Sequence, residues 1–213
     1  MIRIVLADDH AIVREGLKRI VQSVPDFEVV GEAGDGGEVL RLVREAEFDL
    51  LVLDLSMPGR SGMELIKQVK SLKPRLRVLV LSMHQESQYA VRAIKVGASG
   101  YLTKESAPAQ LEQALRKIAG GGAWVSAEVA QQLALGAMPG SEAAPHEALS
   151  SREFEVFQML AAGQSVTAIG ARLSLSVKTV STHKANLMHK LGLNNSSELV
   201  RYAIKHGLGG DSV

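Results

Sequence analysis

Leu50-Leu51-Val52-Leu53-Asp54 sets four apolar residues in a row and ends on a carboxylate. A strand with one wet face alternates polar and apolar residues, whereas one that is apolar throughout has both faces covered. The run therefore predicts a central strand of a parallel sheet, with Asp54 at its carboxyl end. Val78-Leu79-Val80-Leu81 repeats the pattern. Working outward, strands are expected at 2–7, 27–31, 50–53, 77–82 and 100–102, all short and apolar or β-branched. Helical stretches fall between and after them, at about 11–22, 36–46, 62–72, 86–96 and 108–119. Five strands alternating with helices predict an α/β domain: a five-stranded parallel sheet, doubly wound, with helices on both faces. Such sheets collect functional groups at the carboxyl ends of strands, near the point where strand order reverses.

The remaining chain changes character. Gly120-Gly121-Gly122 and the stretch from Gly136 to Pro145 are punctuation, and a short helix with Ser126 as N-cap is expected between them. Beyond, Ser150-Ser151-Arg152-Glu153 matches a capping box and opens a helix that runs to Ala162. Further helices are expected at about 166–173, at 177–191 with Gly192 closing it, and at about 196–206. Two helices joined by a tight turn and a longer second one fit a helix-turn-helix. The expected organisation is a sheet domain at 1–120, a linker with one short helix at 121–145, and an all-α domain at 146–213.

Composition excludes several classes. At 213 residues, 46% hydrophobic and 22% charged, the chain is neither a disordered tail nor a fibrous repeat. Without cysteine there is no disulfide, thiolate metal site or thiol nucleophile, and a reducing cytoplasm is the expected compartment. No apolar run of about 18 residues exists to span a membrane. Asp8 and Asp9 interrupt the apolar start, which argues against a signal peptide. Gly31 to Gly37 has the glycines of a dinucleotide loop but the wrong spacing, and it predicts a turn into a helix. There is no P-loop and no Gly-x-Ser-x-Gly elbow.

Asp8 and Asp9 close the first expected strand and Asp54 closes the third. If those strands are neighbours, three carboxylates converge and repel one another unless a cation sits among them. A hard divalent ion with oxygen ligands, Mg²⁺ above all, satisfies that demand. Asp54 is then placed to attack a phosphoryl group as a nucleophile. Ser82 at the end of the fourth strand offers a hydroxyl to a phosphoryl oxygen, and Lys104 after the fifth offers a point charge. His10 is expected at the start of the first helix, lining the pocket mouth rather than ligating.

Asp8-Asp9, Asp54-Leu55-Ser56-Met57-Pro58-Gly59, Leu81-Ser82-Met83 and Gly100-Tyr101-Leu102-Thr103-Lys104 together resemble the receiver domain of bacterial two-component response regulators, a flavodoxin-like fold. The resemblance covers about 1–120. It implies that Asp54 accepts phosphate from a phosphohistidine on a cognate sensor histidine kinase. It further implies that Asp8, Asp9, Asp54 and the backbone carbonyl of Ser56 hold Mg²⁺, that Ser82 and Tyr101 rearrange on phosphorylation, and that Lys104 neutralises the phosphate.

The net charge of +1, taken alone, argues against a polyanionic partner. Its distribution argues otherwise, because no acid occurs from Val156 to Ser197 while Arg172, Lys178, Lys184 and Lys190 do. On the third helix of the last domain, Val177, Val180, Leu187, Met188 and Leu191 gather on one side, opposite Lys178, Thr182, Ala185 and His189. Lys184 falls toward the packing side and must snorkel or lie at an edge. Leu149 to Glu153, Ala168-Ile169, Leu173 to Ser176 and Lys178 to Gly192 resemble a LuxR-type helix-turn-helix, and with the receiver the chain is similar to the NarL/FixJ class of transcriptional regulators. That resemblance implies major-groove binding to double-stranded promoter DNA. Ser181, Thr182 and Ala185 would face base edges, and Lys178, Thr179 and His183 the backbone. Many members carry a basic residue at the positions of Ser181 or Ala185, and Ala at that of Gly170.

The expectation is a phosphorylation-controlled DNA-binding transcription factor, not an enzyme, that acts as a homodimer on two half-sites. The linker would convey phosphorylation as dimerisation or release of the DNA helix. Leu199, Val200, Ala203 and Ile204 of the last helix form the candidate dimer surface. The rival is a Mg²⁺-dependent phosphatase or hydrolase with Asp54 as nucleophile and a helical protein-interaction module.

Overall fold

A computed structural model describes residues 1–57, 62–83, 87–137 and 144–208. Pro58 and Gly59, the expected helix start at 86 and linker positions 138–143 lie outside the described residues. The chain forms two compact units, Met1–Leu133 and Ala134–Val213. In the first, strands β1 (Ile2–Ala7), β2 (Phe27–Ala33), β3 (Leu50–Asp54), β4 (Arg77–Ser82) and β5 (Gly100–Thr103) alternate with α1 (Ala11–Gln22), α2 (Gly36–Glu45), α3 (Gly62–Leu72), α4 (Ser87–Lys95) and α5 (Ala107–Ala119). The sheet is parallel throughout, in the order β2-β1-β3-β4-β5. The strand order thus reverses between β1 and β3.

The continuous apolar runs behave as their composition requires. All five residues of β3 are buried, as are five of the six in β4. Ile4, Leu6, Leu50, Val52, Leu79 and Leu81 share one core with Leu17 and Val21 of α1 and Leu111, Leu115 and Ile118 of α5. Strand alternation turns Val5, Leu51, Leu53, Val78 and Val80, equally buried, to the other face. The glycine-rich stretch after β2 is a capped turn: the Asp35 carboxylate accepts from the N–H groups of Gly37 and Glu38 at the start of α2.

One feature of this unit has no counterpart in the sequence patterns. After α5, Gly121 at φ 87° turns the chain back along β5. Trp124 then forms a one-residue parallel bridge with Gly100. The Tyr101 N–H donates to the Trp124 carbonyl at 2.8 Å, and the Trp124 N–H donates to the Ser99 carbonyl at 3.1 Å. Only glycine fits at position 100, since a Cβ there would lie 2.9 Å from the Trp124 oxygen and 2.8 Å from Ile118 Cδ1. Helix α6 (Ala127–Gly136) follows, with the Ser126 hydroxyl accepting from the Val129 N–H at 3.2 Å.

The second unit holds a 3₁₀ turn (Pro145–Ala148) and helices α7 (Ser151–Ala161), α8 (Val166–Leu173), α9 (Val177–Leu191) and α10 (Ser196–Lys205). The capping box at Ser150 and Glu153 is present in full. Phe154, Val156, Phe157, Ile169, Val180, Leu187, Leu199, Ala203 and Leu208 are all buried. Between α8 and α9 the chain passes through Ser174 at φ 53°, and the Leu175 N–H donates to the Gly170 carbonyl at 2.9 Å. A Cβ on Gly170 would lie 2.9 Å from the Leu175 oxygen, so this glycine serves the close approach of the turn. The expected dimer surface on α10 needs correction. Leu199 and Ala203 are each 1% exposed and belong to the core of the unit, whereas Ile204 is 71% exposed. An apolar stripe marks burial, and here most of that burial is inside the domain.

Candidate functional site

Pairing of β1 with β3 sets Ala7 opposite Leu53, so Asp8 and Asp9 arrive beside Asp54 at the reversal point of the sheet. Ligand-capable atoms of Asp8, Asp9, His10 and Asp54 lie within 4.8 Å of one another. Asp8 and Asp54 are fully buried, and so is Ser82 at the end of β4. The Lys104 N–H donates to the Ser82 carbonyl at 2.8 Å, which fixes the lysine over the strand ends. Its ammonium reaches Asp54 Oδ2 at 2.9 Å and Asp8 Oδ2 at 2.6 Å. The approach to Asp8 is an ion pair without hydrogen-bond geometry, so that buried oxygen has no hydrogen bond. The Ser56 N–H donates to Asp54 Oδ1 at 3.1 Å.

Burial pushes the Asp54 carboxyl above its ordinary range. The Lys104 ammonium and the Ser56 N–H oppose the rise but do not cancel it, and the nearby Asp8 adds to it. Burial alone would lower Lys104; its attraction to the Asp8 and Asp54 carboxylates outweighs that and holds it raised. Three carboxyl groups thus gather around one ammonium, an excess of acid that a divalent cation would offset. His10 stands before α1 with Nδ1 2.9 Å from Asp9 and 3.3 Å from Asp8, and its side chain is 64% exposed at the rim. Tyr101 is outside this cluster. It lines a cavity of about 370 Å³ with Ala90, Gln110, Trp124, Ser126 and Val129.

Arg14 was not among the expected residues. Its Nη1 donates to the Asp8 carbonyl at 2.6 Å, and its Nε to Glu32 at 3.0 Å, so it pins the backbone that carries the acidic pair. Its spacing of four from His10 is the only sequence trace of that role, and it is a weak one.

On α9, Lys178, Thr179, Ser181, Thr182 and Ala185 are exposed and His183 is half-buried. The window of four cations divides. Lys190 holds Glu153 at 2.7 Å, and Lys184 reaches the Ser196 hydroxyl at 3.2 Å, at the edge where the helical wheel set it. Arg172 and Lys178 remain exposed. The Thr182 hydroxyl donates to the Lys178 carbonyl at 3.0 Å, and the Ser176 hydroxyl caps the helix by accepting from the Thr179 N–H.

Residues 4–116 match the family model of the response regulator receiver domain. The chain is a response regulator. Residues 147–203 of the regulator match bacterial regulatory proteins of the luxR family, which accounts for α7 to α10 as its helix-turn-helix domain. The regulator is 34% identical over 209 residues to response regulator UvrY of Escherichia coli K12, covering 98% of this chain and 96% of UvrY. It is 34% identical to response regulator GacA of Pseudomonas aeruginosa, covering 98% of each chain. Among solved structures, RcsB of Salmonella enterica serovar Typhimurium bound to promoter P1flhDC with the phosphomimetic BeF₃⁻ matches at TM-score 0.67 and 30% identity, over 94% of the regulator and 97% of that chain. A LuxR-family two-component response regulator from Aurantimonas matches at TM-score 0.59 and 44% identity, over 63% of the regulator and 96% of that chain. No helix among the described residues is long and apolar enough to cross a membrane.

Proposed function

We infer that this two-component response regulator takes a phosphoryl group onto Asp54 from a sensor histidine kinase and, so charged, reads double-stranded promoter DNA as a homodimer. The observation that carries this is the buried Asp8–Asp54–Lys104 cluster at the strand-order reversal, in a chain joined to a luxR-family domain. An Asp54 oxygen forms the bond to phosphorus while the P–N bond of the phosphohistidine breaks and its electron pair leaves with the imidazole. Lys104 stays charged beside Asp54 and meets the new negative charge, and Ser82 donates to a phosphoryl oxygen. Tyr101 follows the movement of Ser82. The cluster fits Mg²⁺ by its excess charge and its buried, hydrogen-bond-free Asp8 oxygen. Asp8, Asp9, Asp54 and the Ser56 carbonyl would hold the ion, which when bound supplies charge neutralisation to the incoming phosphoryl oxygens.

In the helical unit, Ser181, Thr182 and Ala185 face base edges and Lys178, Thr179 and His183 face the backbone. RcsB is seen as two dimers bound to two parallel DNAs, which supports a dimeric, DNA-bound active form here. The domain limits are 1–120, 121–145 and 146–213, with the division between compact units falling inside the linker. The compartment is the cytoplasm. The hydrolase alternative is not favoured, since relatives that match along almost the whole chain are response regulators.

Treatment of the full chain with a small phosphodonor and Mg²⁺ tests this. One acid-stable, base-labile phosphate per chain is expected, absent from Asp54→Asn and from chelator-treated samples. Sustained consumption of the donor over many turnovers would favour the hydrolase.

A further inference from the structure

The exposed arc of α9 holds Lys178, Ser181, Thr182, Ala185, Asn186 and His189. At 100° per residue Thr182 is near its centre, with Ala185 about 60° to one side and Asn186 about 40° to the other. Asn186 has no sequence expectation attached to it. Several polar side chains of this helix are engaged within the unit. The Thr182 hydroxyl donates to the Lys178 carbonyl at 3.0 Å, and the Ser176 and Thr179 hydroxyls meet at 2.8 Å. Lys184 and Lys190 are committed to Ser196 and Glu153. The Asn186 amide makes no hydrogen bond among the described residues. Asparagine is also a poor helix former, because its side chain competes for backbone groups. Its place in mid-helix is therefore not explained by helix propensity, and its exposed amide is available to a ligand.

The chemistry of that arc is specific. In the major groove an Asn amide offers a donor and an acceptor at the spacing of adenine N7 and N6, whereas guanine is matched by Arg or Lys. The exposed side of the helix carries no arginine; of its lysines, Lys178 lies in the first turn and Lys190 is held by Glu153. With its hydroxyl proton held by the Lys178 carbonyl, exposed Thr182 has a methyl and acceptor lone pairs left for a partner. Ala185 adds a second methyl, and apolar groups of this size contact the thymine methyl. We propose that Asn186 reads adenine, so that each half-site carries an A·T pair under Asn186 with thymine methyls against Ala185 and Thr182. This rests on α9 lying in the major groove, as inferred above.

Selection from a random duplex pool tests it, using full-length, phosphodonor-treated wild type, Asn186→Ala and Asn186→Arg. Wild type is expected to prefer A·T over G·C at one position of each half-site by about 5- to 150-fold. Asn186→Ala should erase that preference, and Asn186→Arg should move it toward guanine. Both substitutions introduce better helix formers, so thermal melting followed by circular dichroism will show folded variants. An A·T preference that survives Asn186→Ala overturns the assignment while leaving DNA binding by α9 intact. Failure of the wild type to enrich any sequence, with no salt-dependent affinity for duplex DNA, would overturn the DNA reading itself.

Discussion

Asp54 is held in a state that stability alone would not choose. Its carboxyl lies above the ordinary range because burial penalises the charge, so ionising it costs folding free energy, and that stability is lost as pH rises through the raised value. Asp54→Asn removes the charge and leaves Lys104 paired with Asp8. At neutral pH without divalent cation, the variant is expected to melt above wild type by about 2–4 °C for each kcal/mol relieved, as read by calorimetry. A lower midpoint would mean that the Lys104 bridge outweighs the burial. Glu153 runs the opposite way. Burial would raise it, but Lys190 and the Ser150 N–H hold it lowered. Its contribution is therefore present above the ordinary carboxyl value of about 4.3 and lost as pH falls through the lowered value. Glu153→Gln should cost about 1–3 kcal/mol at pH 7 and flatten the acid limb of unfolding of the helical unit. The capping half of this pair is legible because Ser150 and Glu153 are three residues apart. The Lys190 half is not, since a contact spanning 37 residues has no local signature.

At the scale of elements, the apolar runs and capping signals locate nearly every boundary to within a residue or two. Both β3 and β4 are buried on two faces, and only covered strands tolerate such composition. What periodicity does not reveal is what covers an apolar face. Leu199 and Ala203 of α10 look the same in sequence whether they meet α7 or a second copy of the chain. The cations of α9 divide for the same reason, since a basic window does not say which members pair internally. Lys178 is exposed, makes no ion pair among the described residues and lies in the first turn of that helix, so it should act as a phosphate contact. Lys178→Ala is expected to weaken binding to all duplexes alike and to reduce the slope of log affinity against log salt by about one. Filter binding across a salt series on two unrelated sequences measures both, and a loss confined to one sequence would make Lys178 a base contact.

For the molecule as a whole, the net charge of +1 conceals an uneven distribution, and the ion pair of Lys190 with Glu153 reduces the free charge on α9 further. With so little bulk attraction, the proposed DNA binding would draw its affinity from two copies acting together. The proposed switch has a built-in reporter. Trp124 is the chain's single tryptophan, and its carbonyl accepts from the N–H of Tyr101, with Lys117 Nζ 5.7 Å from its ring centroid. Beryllofluoride with Mg²⁺ should shift Trp124 emission in the wild type and leave it unchanged in Asp54→Asn. An unresponsive wild type would separate Tyr101 from the switch. The contact was invisible in sequence because a one-residue bridge leaves no period to detect.

The same bridge has a consequence for solubility. β5 is the last strand of the sheet, and an open strand edge is a template for pairing with other molecules. Trp124 occupies part of that edge, and Gly100 leaves it the room. A fragment ending at Gly120 loses this cover and should self-associate at concentrations where one ending at Gly136 stays monodisperse in light scattering. The glycine turn after α5 thus works as the hinge of a guard for the sheet.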